Sequence, residues 1–297
     1  MKTLSAPLIV SIQVTTNCNC SCTYCYNANA GYSKTMSLSD FQHVVEIFAE
    51  KEIFNFVIEG GEPMLHPQLQ GLVQIIEDTG IEYTLITNGT MIDTYMAQWL
   101  SRLNCDLIIS LDGLTQSVHN RTRSRYESAI KGINNLISYG VSFGINTVLN
   151  RHNIKSYPDI IERLYPQVKR FALLRLVPRS ADDDVVKDLL AYSLSEVECL
   201  ENELRNLCQM KPDIRIDSPF NLSGNKSNGF CESLEVPGCL AGTTLLTVRP
   251  NLDVLPCSYC QGNVIGNLKL QTFHEIWESE STKEIQAATI PPCLKRM

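Results

Sequence analysis

Four cysteines lie within eight residues near the start of the chain, and their spacing constrains the fold more than any other feature. Cys18, Cys22 and Cys25 have the spacing C-x3-C-x2-C and follow the apolar run Leu8–Val14, which predicts a strand. Three thiolates in one tight loop can hold three irons of a [4Fe–4S] cluster and leave the fourth iron open for a ligand. The pattern therefore favours an iron–sulfur site at the end of the first strand.

A structural zinc site and a disulfide cluster are the alternative interpretations of these cysteines. Structural zinc takes four ligands, usually as two C-x2-4-C pairs, and Cys20 is the only additional thiol nearby. The chain has 12 cysteines and no secretory signal, which favours a reducing compartment where thiols serve metals or catalysis. We therefore expect iron–sulfur binding and a cytoplasmic location.

Composition excludes two other classes of partner. The net charge is −7 without any run of Lys and Arg, so a nucleic-acid-binding surface is not expected. The first apolar run is too short to span a membrane. A chain of 297 residues that is 44% hydrophobic can form one large α/β domain with a smaller appendage.

Short β-rich runs alternate with helical patterns from residue 8 to about residue 177, which is typical of βα units around a parallel sheet. The predicted strands are Leu8–Thr15, Asn55–Glu59, Glu82–Thr87, Asp106–Leu111, Ser142–Leu149 and Arg170–Val177. Ser37 to Asp40 predict a helix start before Phe41–Ala49, and Gly80 and Gly140 predict helix ends. Six such units predict a partial (β/α)6 TIM-like barrel, in which the chemistry lies at the carboxyl ends of the strands.

Glycines and small polar residues follow the predicted strands at that end. The motifs are Glu59-Gly-Gly-Glu-Pro63, Thr87-Asn-Gly89 and Ser110-Leu-Asp-Gly113. Glycines allow a close backbone approach, and hydroxyls and amides can hydrogen-bond a ribose, although each motif alone could be a simple turn. Asn146 and Arg175 lie inside apolar strands, where a polar side chain is costly unless it is paired. An internal ion pair is the alternative role for Arg175.

Together with Tyr24 before the last cysteine of the loop, these motifs resemble those of the radical S-adenosylmethionine (radical SAM) superfamily. The resemblance implies that a [4Fe–4S] cluster on Cys18, Cys22 and Cys25 binds SAM. One electron then cleaves SAM to a 5′-deoxyadenosyl radical, which abstracts a hydrogen atom. A flavodoxin or ferredoxin is implied as electron donor. The implied SAM-binding residues are Tyr24, Gly60, Gly61, Glu62, Pro63, Thr87, Asn88, Ser110, Asp112, Asn146 and Arg175.

A second set of cysteines follows a turn-rich stretch that begins near residue 217. We therefore predict a barrel domain over residues 1–216, with a bridging helix over 195–209, and a second domain over 217–297. Cys239, the segment Pro250–Cys257 and a predicted helix over Phe273–Ser281 resemble the auxiliary iron–sulfur extension called SPASM, or Twitch in its short form. A zinc ribbon built on the C-x2-C pair Cys257 and Cys260 is the alternative.

The resemblance implies one auxiliary [4Fe–4S] cluster, because a full SPASM tail would continue further past the helix. Its implied ligands are Cys231, Cys239, Cys257 and Cys293. Cys260 is then surplus. It is either a substitute ligand or a thiol that donates a hydrogen atom to a substrate radical.

We expect a radical SAM enzyme that modifies a ribosomally made peptide by epimerisation or cross-linking. Oxidation or epimerisation of a small molecule such as an aminosugar is the alternative. The chain begins at the first strand, so no N-terminal leader-peptide recognition module is expected, which weakens the peptide interpretation without excluding it. A non-enzymatic iron–sulfur or zinc redox sensor is the alternative of another class, but a sensor has no need of a row of nucleoside contacts.

Overall fold

The computed structural model describes residues 4–28, 34–174, 176–177, 183–217 and 240–288. The strands in these ranges are β1 (Ile9–Thr15), β2 (Asn55–Gly60), β3 (Glu82–Thr87), β4 (Asp106–Ser110), β5 (Gly144–Val148), β6 (Arg170–Leu174), β7 (Arg215–Asp217), β8 (Leu245–Val248), β9 (Asp253–Leu255) and β10 (Gly266–Asn267). The α-helices are α1 (Leu38–Ala49), α2 (Leu69–Glu77), α3 (Thr94–Leu100), α4 (Gln116–His119), α5 (Tyr126–Ser138), α6 (Tyr157–Leu164), α7 (Asp184–Leu189), α8 (Leu194–Met210), α9 (Phe273–Trp277) and α10 (Glu280–Ala287). None of these described helices is long and apolar enough to cross a membrane.

The chain forms two compact units. The first unit comprises Met1–Asn19, Cys25–Thr87 and Pro237–Met297, and the second comprises Cys20–Tyr24 and Asn88–Val236. The six predicted strands are confirmed as β1 to β6, with ends that differ by a few residues. The units are defined by contacts within the chain, and the predicted domain division near residue 217 stays a prediction.

In the first unit the strand order is β10-β9-β8-β1-β2-β3. Strands β1, β2 and β3 are parallel, and β8 pairs in parallel with β1 through Ile9 and Leu245. Strands β8 and β9 form an antiparallel pair. The rings of Phe48 on α1 and Phe273 on α9 lie 5.0 Å apart in an edge-to-face contact. The carboxyl-terminal segment is thus built onto the same sheet as β1.

The second unit contains the parallel order β4-β5-β6-β7. Its helix α8 begins one residue before the predicted start at residue 195, because the capping box is formed by Ser193 and Glu196. The Glu196 amide donates to the Ser193 hydroxyl (3.2 Å), and the Ser193 amide donates to the Glu196 carboxylate (2.8 Å). These bonds satisfy two amides that a helix start leaves unpaired.

The predicted helix limits are confirmed at α1, α2 and α5. The Ser37 hydroxyl accepts a hydrogen bond from the Asp40 amide (3.0 Å). Gly80 and Gly140 follow α2 and α5 with φ angles of +72° and +65°, a conformation that glycine adopts without strain. The single helix predicted over Phe273–Ser281 is instead two helices, α9 and α10, because the hydroxyl of Ser279 caps a new helix start.

Candidate active site

The glycine pair after β2 packs directly on the backbone that leads into the cysteines. The Gly61 amide donates to the Thr15 carbonyl (2.7 Å), and the Glu62 amide donates to the Asn17 carbonyl (2.8 Å). A Cβ atom on Gly60 would lie 2.4 Å from the Thr15 carbonyl oxygen, and one on Gly61 would lie 2.1 Å from the Asn17 carbonyl oxygen. Both positions therefore require glycine for packing against the chain, before any ligand is considered.

Glu62 has a buried side chain that is 1% exposed. Its Oε1 accepts hydrogen bonds from the Met64 amide (3.1 Å) and from the Thr87 hydroxyl (2.6 Å). The first of these bonds caps the short 3-10 helix Pro63–Leu65. The carboxylate is thus oriented by its own loop and by the end of β3. The predicted roles of Gly60 to Pro63 and Thr87 in SAM binding stay predictions.

Three predicted SAM-binding residues belong to the second unit, namely Asn88, Ser110 and Asn146. The Asn88 side-chain carbonyl accepts from the Thr90 amide (2.9 Å) and hydroxyl (2.7 Å), which forms a tight turn after β3. Ser110 and Asn146 are register partners across β4 and β5. Their side chains are therefore neighbours in the parallel sheet, which is compatible with one ligand that contacts both. Arg175 lies outside the described residues.

Asp112 is fully buried, and the fold itself uses its carboxylate. The Tyr24 hydroxyl donates to Oδ2, as does the Thr122 hydroxyl at 2.9 Å. The Val148 amide donates to Oδ1 (3.0 Å), and Arg123 Nε lies 3.1 Å from Oδ2. With three hydrogen-bond donors and one ion pair from three chain segments, this carboxylate acts as a hub for the second unit. Its predicted role as a SAM contact stays a prediction.

The backbone of Asp112 is fixed as well. Its amide donates to Nδ1 of the buried His119 (3.3 Å), and the Asn153 side-chain amide donates to its carbonyl (3.1 Å). Burial lowers the pKa of His119 to about 4. The ring is therefore neutral near pH 7 and can accept this bond.

Arg123 connects the Asp112 hub to the cysteine loop. Its side chain is 12% exposed, its guanidinium carbon lies 5.5 Å from the centre of the Tyr24 ring, and Nη1 lies 4.0 Å from the Cys22 sulfur. Burial alone would lower the pKa of Arg123, but Asp112 and its other anionic neighbours more than offset this effect, so the pKa is raised. A permanent positive charge therefore lies beside a predicted cluster ligand, where it favours the thiolate. Sequence reasoning missed Arg123.

The cysteines of the first loop are accessible to a cluster. Cys18 is exposed, and Cys22 and Cys25 are partly exposed. Within the described ranges, no three His, Cys, Asp or Glu side chains converge closely enough to hold a metal ion. The donor set fits a [4Fe–4S] cluster by its chemistry, since three reachable thiols lie on one loop beside a guanidinium. Final ligand geometry commonly forms only on metal binding.

Cys257 and Cys260 form a buried thiol pair after β9. Their sulfur atoms are 3.5 Å apart, well beyond the roughly 2 Å of a disulfide. The two thiols are hydrogen-bonded to each other, and this bond lowers the pKa of Cys257 despite burial. Cys257 is thus prepared to bind metal as a thiolate. Cys231, Cys239 and Cys293, the other predicted auxiliary ligands, lie outside the described residues.

A polar group in the first unit was missed by sequence reasoning. The carboxylate of Glu59 on β2 accepts hydrogen bonds from the hydroxyls of Ser11 (2.5 Å), Tyr26 (3.2 Å) and Ser258. The sequence contains one signal that could have revealed this group, because Ser11 and Gln13 interrupt an otherwise apolar run in β1.

Comparisons with known proteins agree with this architecture. A sequence model of the radical SAM superfamily matches residues 12–164, and a model of an iron–sulfur cluster-binding domain, SPASM, matches residues 239–295. An AdoMet-dependent heme synthase of Nitratidesulfovibrio vulgaris is 24% identical over 88% of this chain and 77% of its own length. The mycofactocin maturase MftC of Mycobacterium ulcerans is 26% identical over 82% of this chain and 67% of its own length.

Solved structures show the same fold. SuiB of Streptococcus suis bound to its precursor peptide SuiA matches with a TM-score of 0.81 and 20% identity, over 96% of this chain and 68% of that chain. The enzyme anSMEcpe with bound AdoMet matches with a TM-score of 0.70 and 21% identity, over 94% of this chain and 82% of that chain. The predicted fold class, an α/β partial barrel with a carboxyl-terminal iron–sulfur domain, is confirmed.

The fold and the cysteine loop thus define a barrel-type iron–sulfur protein with an auxiliary iron–sulfur domain. The superfamily model covers more than half of the 297 residues, so this chain belongs to the radical SAM superfamily. Its cofactors are accordingly SAM, a [4Fe–4S] cluster that binds SAM, and auxiliary iron–sulfur.

Gly61→Ala tests whether the glycine pair is needed for backbone packing. We expect the cluster-free protein to lose about 1–3 kcal/mol of unfolding free energy in urea, because the added methyl group overpacks the Asn17 carbonyl. Gly71→Ala is the control, since its Cβ would meet only the flexible side chain of Leu38 at 3.2 Å. Equal stability of the two variants would contradict the packing role.

Asp112→Asn tests the hub. The substitution leaves the Arg123 charge buried without a counter-charge, so we expect a loss of about 3–5 kcal/mol of unfolding free energy. Asp106→Asn is the matched control, because the ion pair of Asp106 with Arg170 is partly exposed and should contribute about 0–1 kcal/mol. Denaturant unfolding of both variants measures the difference, and similar losses would refute the hub.

Proposed function

We propose that this protein is a radical SAM enzyme that abstracts a hydrogen atom from a ribosomally made peptide, with epimerisation or cross-linking as the outcome. The observation that carries the proposal is the fold likeness to SuiB bound to a precursor peptide, with a TM-score of 0.81 over 96% of this chain. The similarity to a mycofactocin maturase supports it. When bound, the cluster supplies the electron that cleaves SAM, and we propose Cys18, Cys22 and Cys25 as its ligands.

The side chains around the loop divide into two groups of proposed roles. Glu62 is oriented by the Thr87 hydroxyl (2.6 Å), and we propose that its carboxylate binds the SAM amino group. Ser110 and Asn146 lie side by side on β4 and β5 and can bind polar groups of SAM. We propose that Asp112 acts as a positioning residue that holds Tyr24 and Arg123, because its own carboxylate already accepts three hydrogen bonds and pairs with the Arg123 guanidinium.

In the auxiliary domain, we propose Cys257 as a cluster ligand together with Cys231, Cys239 and Cys293. The buried Cys260 thiol, 3.5 Å from the Cys257 sulfur, is the candidate hydrogen-atom donor. A flavodoxin or ferredoxin is the proposed electron donor, and the cytoplasm is the proposed location.

Action on a small molecule is the second candidate function. An AdoMet-dependent heme synthase aligns with 88% of this chain, and BtrN in complex with AdoMet and 2-DOIA shares its fold with a TM-score of 0.51. Oxidation or epimerisation of a small molecule would use the same SAM chemistry. The two candidates differ only in the substrate.

The class of chemistry is tested by SAM cleavage. We expect the anaerobically reconstituted protein to form 5′-deoxyadenosine with dithionite, and Cys22→Ala to abolish this activity because one cluster ligand is lost. Cys20→Ala, in the same loop, is the control and should retain it. If Cys22→Ala cleaves SAM as well as the wild type, the catalytic assignment is wrong.

The substrate class is tested with a short peptide encoded beside the gene. Mass spectrometry in deuterated water should show one incorporated deuterium for epimerisation, or the loss of two hydrogens for cross-linking. An unchanged peptide, together with neighbouring genes for sugar tailoring, would favour the small-molecule candidate.

Cys260→Ala tests the proposed donor. We expect about eight irons per chain to remain, as for two [4Fe–4S] clusters, while product formation stops and SAM cleavage continues. Cys199→Ala, an exposed helical cysteine, is the control. A loss of about four irons in Cys260→Ala would identify Cys260 as a cluster ligand. It would then favour oxidation or cross-linking over epimerisation.

A further inference from the structure

Strand β1 has one apolar face and one polar face, and both are buried. Val10, Ile12 and Val14 are fully buried on one face. Ser11 and Gln13 lie on the other, at 3% and 1% exposure. A parallel strand that is buried on both sides is normally apolar throughout. The polar face therefore needs partners that offset its desolvation.

Gln13 has no such partner. Both its Oε1 and its Nε2 are buried, and neither forms a hydrogen bond within the part of the chain that the structure describes. Buried side-chain amides in native proteins are nearly always paired, because an unpaired one carries its full desolvation cost. We infer that this cost is offset by a partner that the described residues do not supply.

Glu59 lies beside Gln13 on the same face. The two residues are register partners across β1 and β2. The Ser11 hydroxyl reaches the Glu59 carboxylate at 2.5 Å, so Glu59 projects from the face that carries Ser11 and Gln13. The two side chains are thus adjacent, with an amide next to a carboxylate.

Among the described residues, the carboxylate of Glu59 has only neutral hydrogen-bond donors. These are the hydroxyls of Ser11, Tyr26 and Ser258, and no Lys, Arg or His of the described ranges forms an ion pair with it. A partly buried carboxylate usually acquires a counter-charge. The longest of the three bonds, from Tyr26 at 3.2 Å, is the one that an incoming cation would replace at least cost.

We propose that Gln13 and Glu59 form a substrate subsite for an amide group with a neighbouring ammonium or guanidinium group. The Gln13 carboxamide offers one acceptor and one donor direction, which match the N–H and C=O of a peptide bond. Glu59 binds the cation. The peptide partner for Gln13 rests on the proposed function, whereas the cation site at Glu59 also suits an aminosugar.

The first test uses stability and needs no substrate. Gln13→Met keeps the side-chain volume and removes the unpaired amide, so the midpoint temperature of the substrate-free holoenzyme should rise. Gln42→Met, on the exposed surface of α1, is the control and should leave it unchanged. A lower midpoint for Gln13→Met would show that the amide is paired inside the protein and would overturn the subsite.

The second test uses two amine probes, the tripeptide acetyl-Ala-Lys-Ala-amide and glucosamine, with a norleucine tripeptide as the uncharged control. Stimulation of 5′-deoxyadenosine formation by the lysine tripeptide should fall about tenfold or more in Glu59→Gln, since a charged hydrogen bond is lost. The stimulated rate is compared with the basal SAM cleavage of the same variant. A Glu59-dependent response to glucosamine alone supports the cation site but contradicts the peptide function. If the lysine tripeptide stimulates 5′-deoxyadenosine formation equally in Glu59→Gln and the wild type, the proposal is overturned. If neither probe stimulates it, the stability result for Gln13→Met decides.

Discussion

The close backbone contact between the glycine pair and the start of the cysteine loop is the constraint on which the rest of the first unit depends. Two hydrogen bonds, from Gly61 to Thr15 and from Glu62 to Asn17, join the carboxyl ends of β1 and β2. The strand register shifts between Gln13 and Thr15, which allows Gly60 to lie opposite Thr15. No side chain fits at this contact, so the glycines are needed even without a ligand. The entrance of the loop is thus fixed before any cluster binds, while its remaining geometry can adapt to the cluster.

Buried charge fixes the other part of the loop, Cys20–Tyr24, within the second unit. A buried ion pair such as Asp112 and Arg123 contributes little net stability compared with apolar packing, but the loss of either partner is costly. Here the ion pair serves to position the loop. Asp112 binds Tyr24 of the loop, and the Thr23 amide donates to the Thr122 carbonyl at 2.8 Å. Tyr24 also packs on an apolar cluster that includes Val148 and Val186. The loop is therefore held by polar bonds on one side and by packing on the other.

The sequence predicts the strands and the strand-end motifs well, because β-branched runs, turn residues and helix caps are local signals. Contacts between distant segments were not predictable. Nothing in the local pattern distinguishes Arg123, which reaches Cys22, from Arg121 or Arg125 nearby. Hydrophobic periodicity likewise does not predict the parallel pairing of β8 with β1. The sequence pattern therefore predicts a separate domain for the carboxyl-terminal segment. Asp112 was recognised from its motif, but its three hydrogen-bond donors and its ion-pair partner come from segments that only the folded chain brings together.

Glu59 and Glu62 flank the same glycine pair, yet their partners give them different freedom. Glu62 is held by a backbone amide and by the hydroxyl of Thr87, and it cannot rotate without releasing the cap of the 3-10 helix. Within the described ranges, Glu59 is held by hydroxyls alone, and a hydroxyl reorients at little cost. A rigid carboxylate suits a ligand that is the same in every turnover, as a cofactor is. An adaptable one suits a substrate group whose position changes as the reaction proceeds. With the roles proposed for Glu62 and Glu59, one short motif would serve both the cofactor and the substrate, because the two carboxylates differ in what holds them.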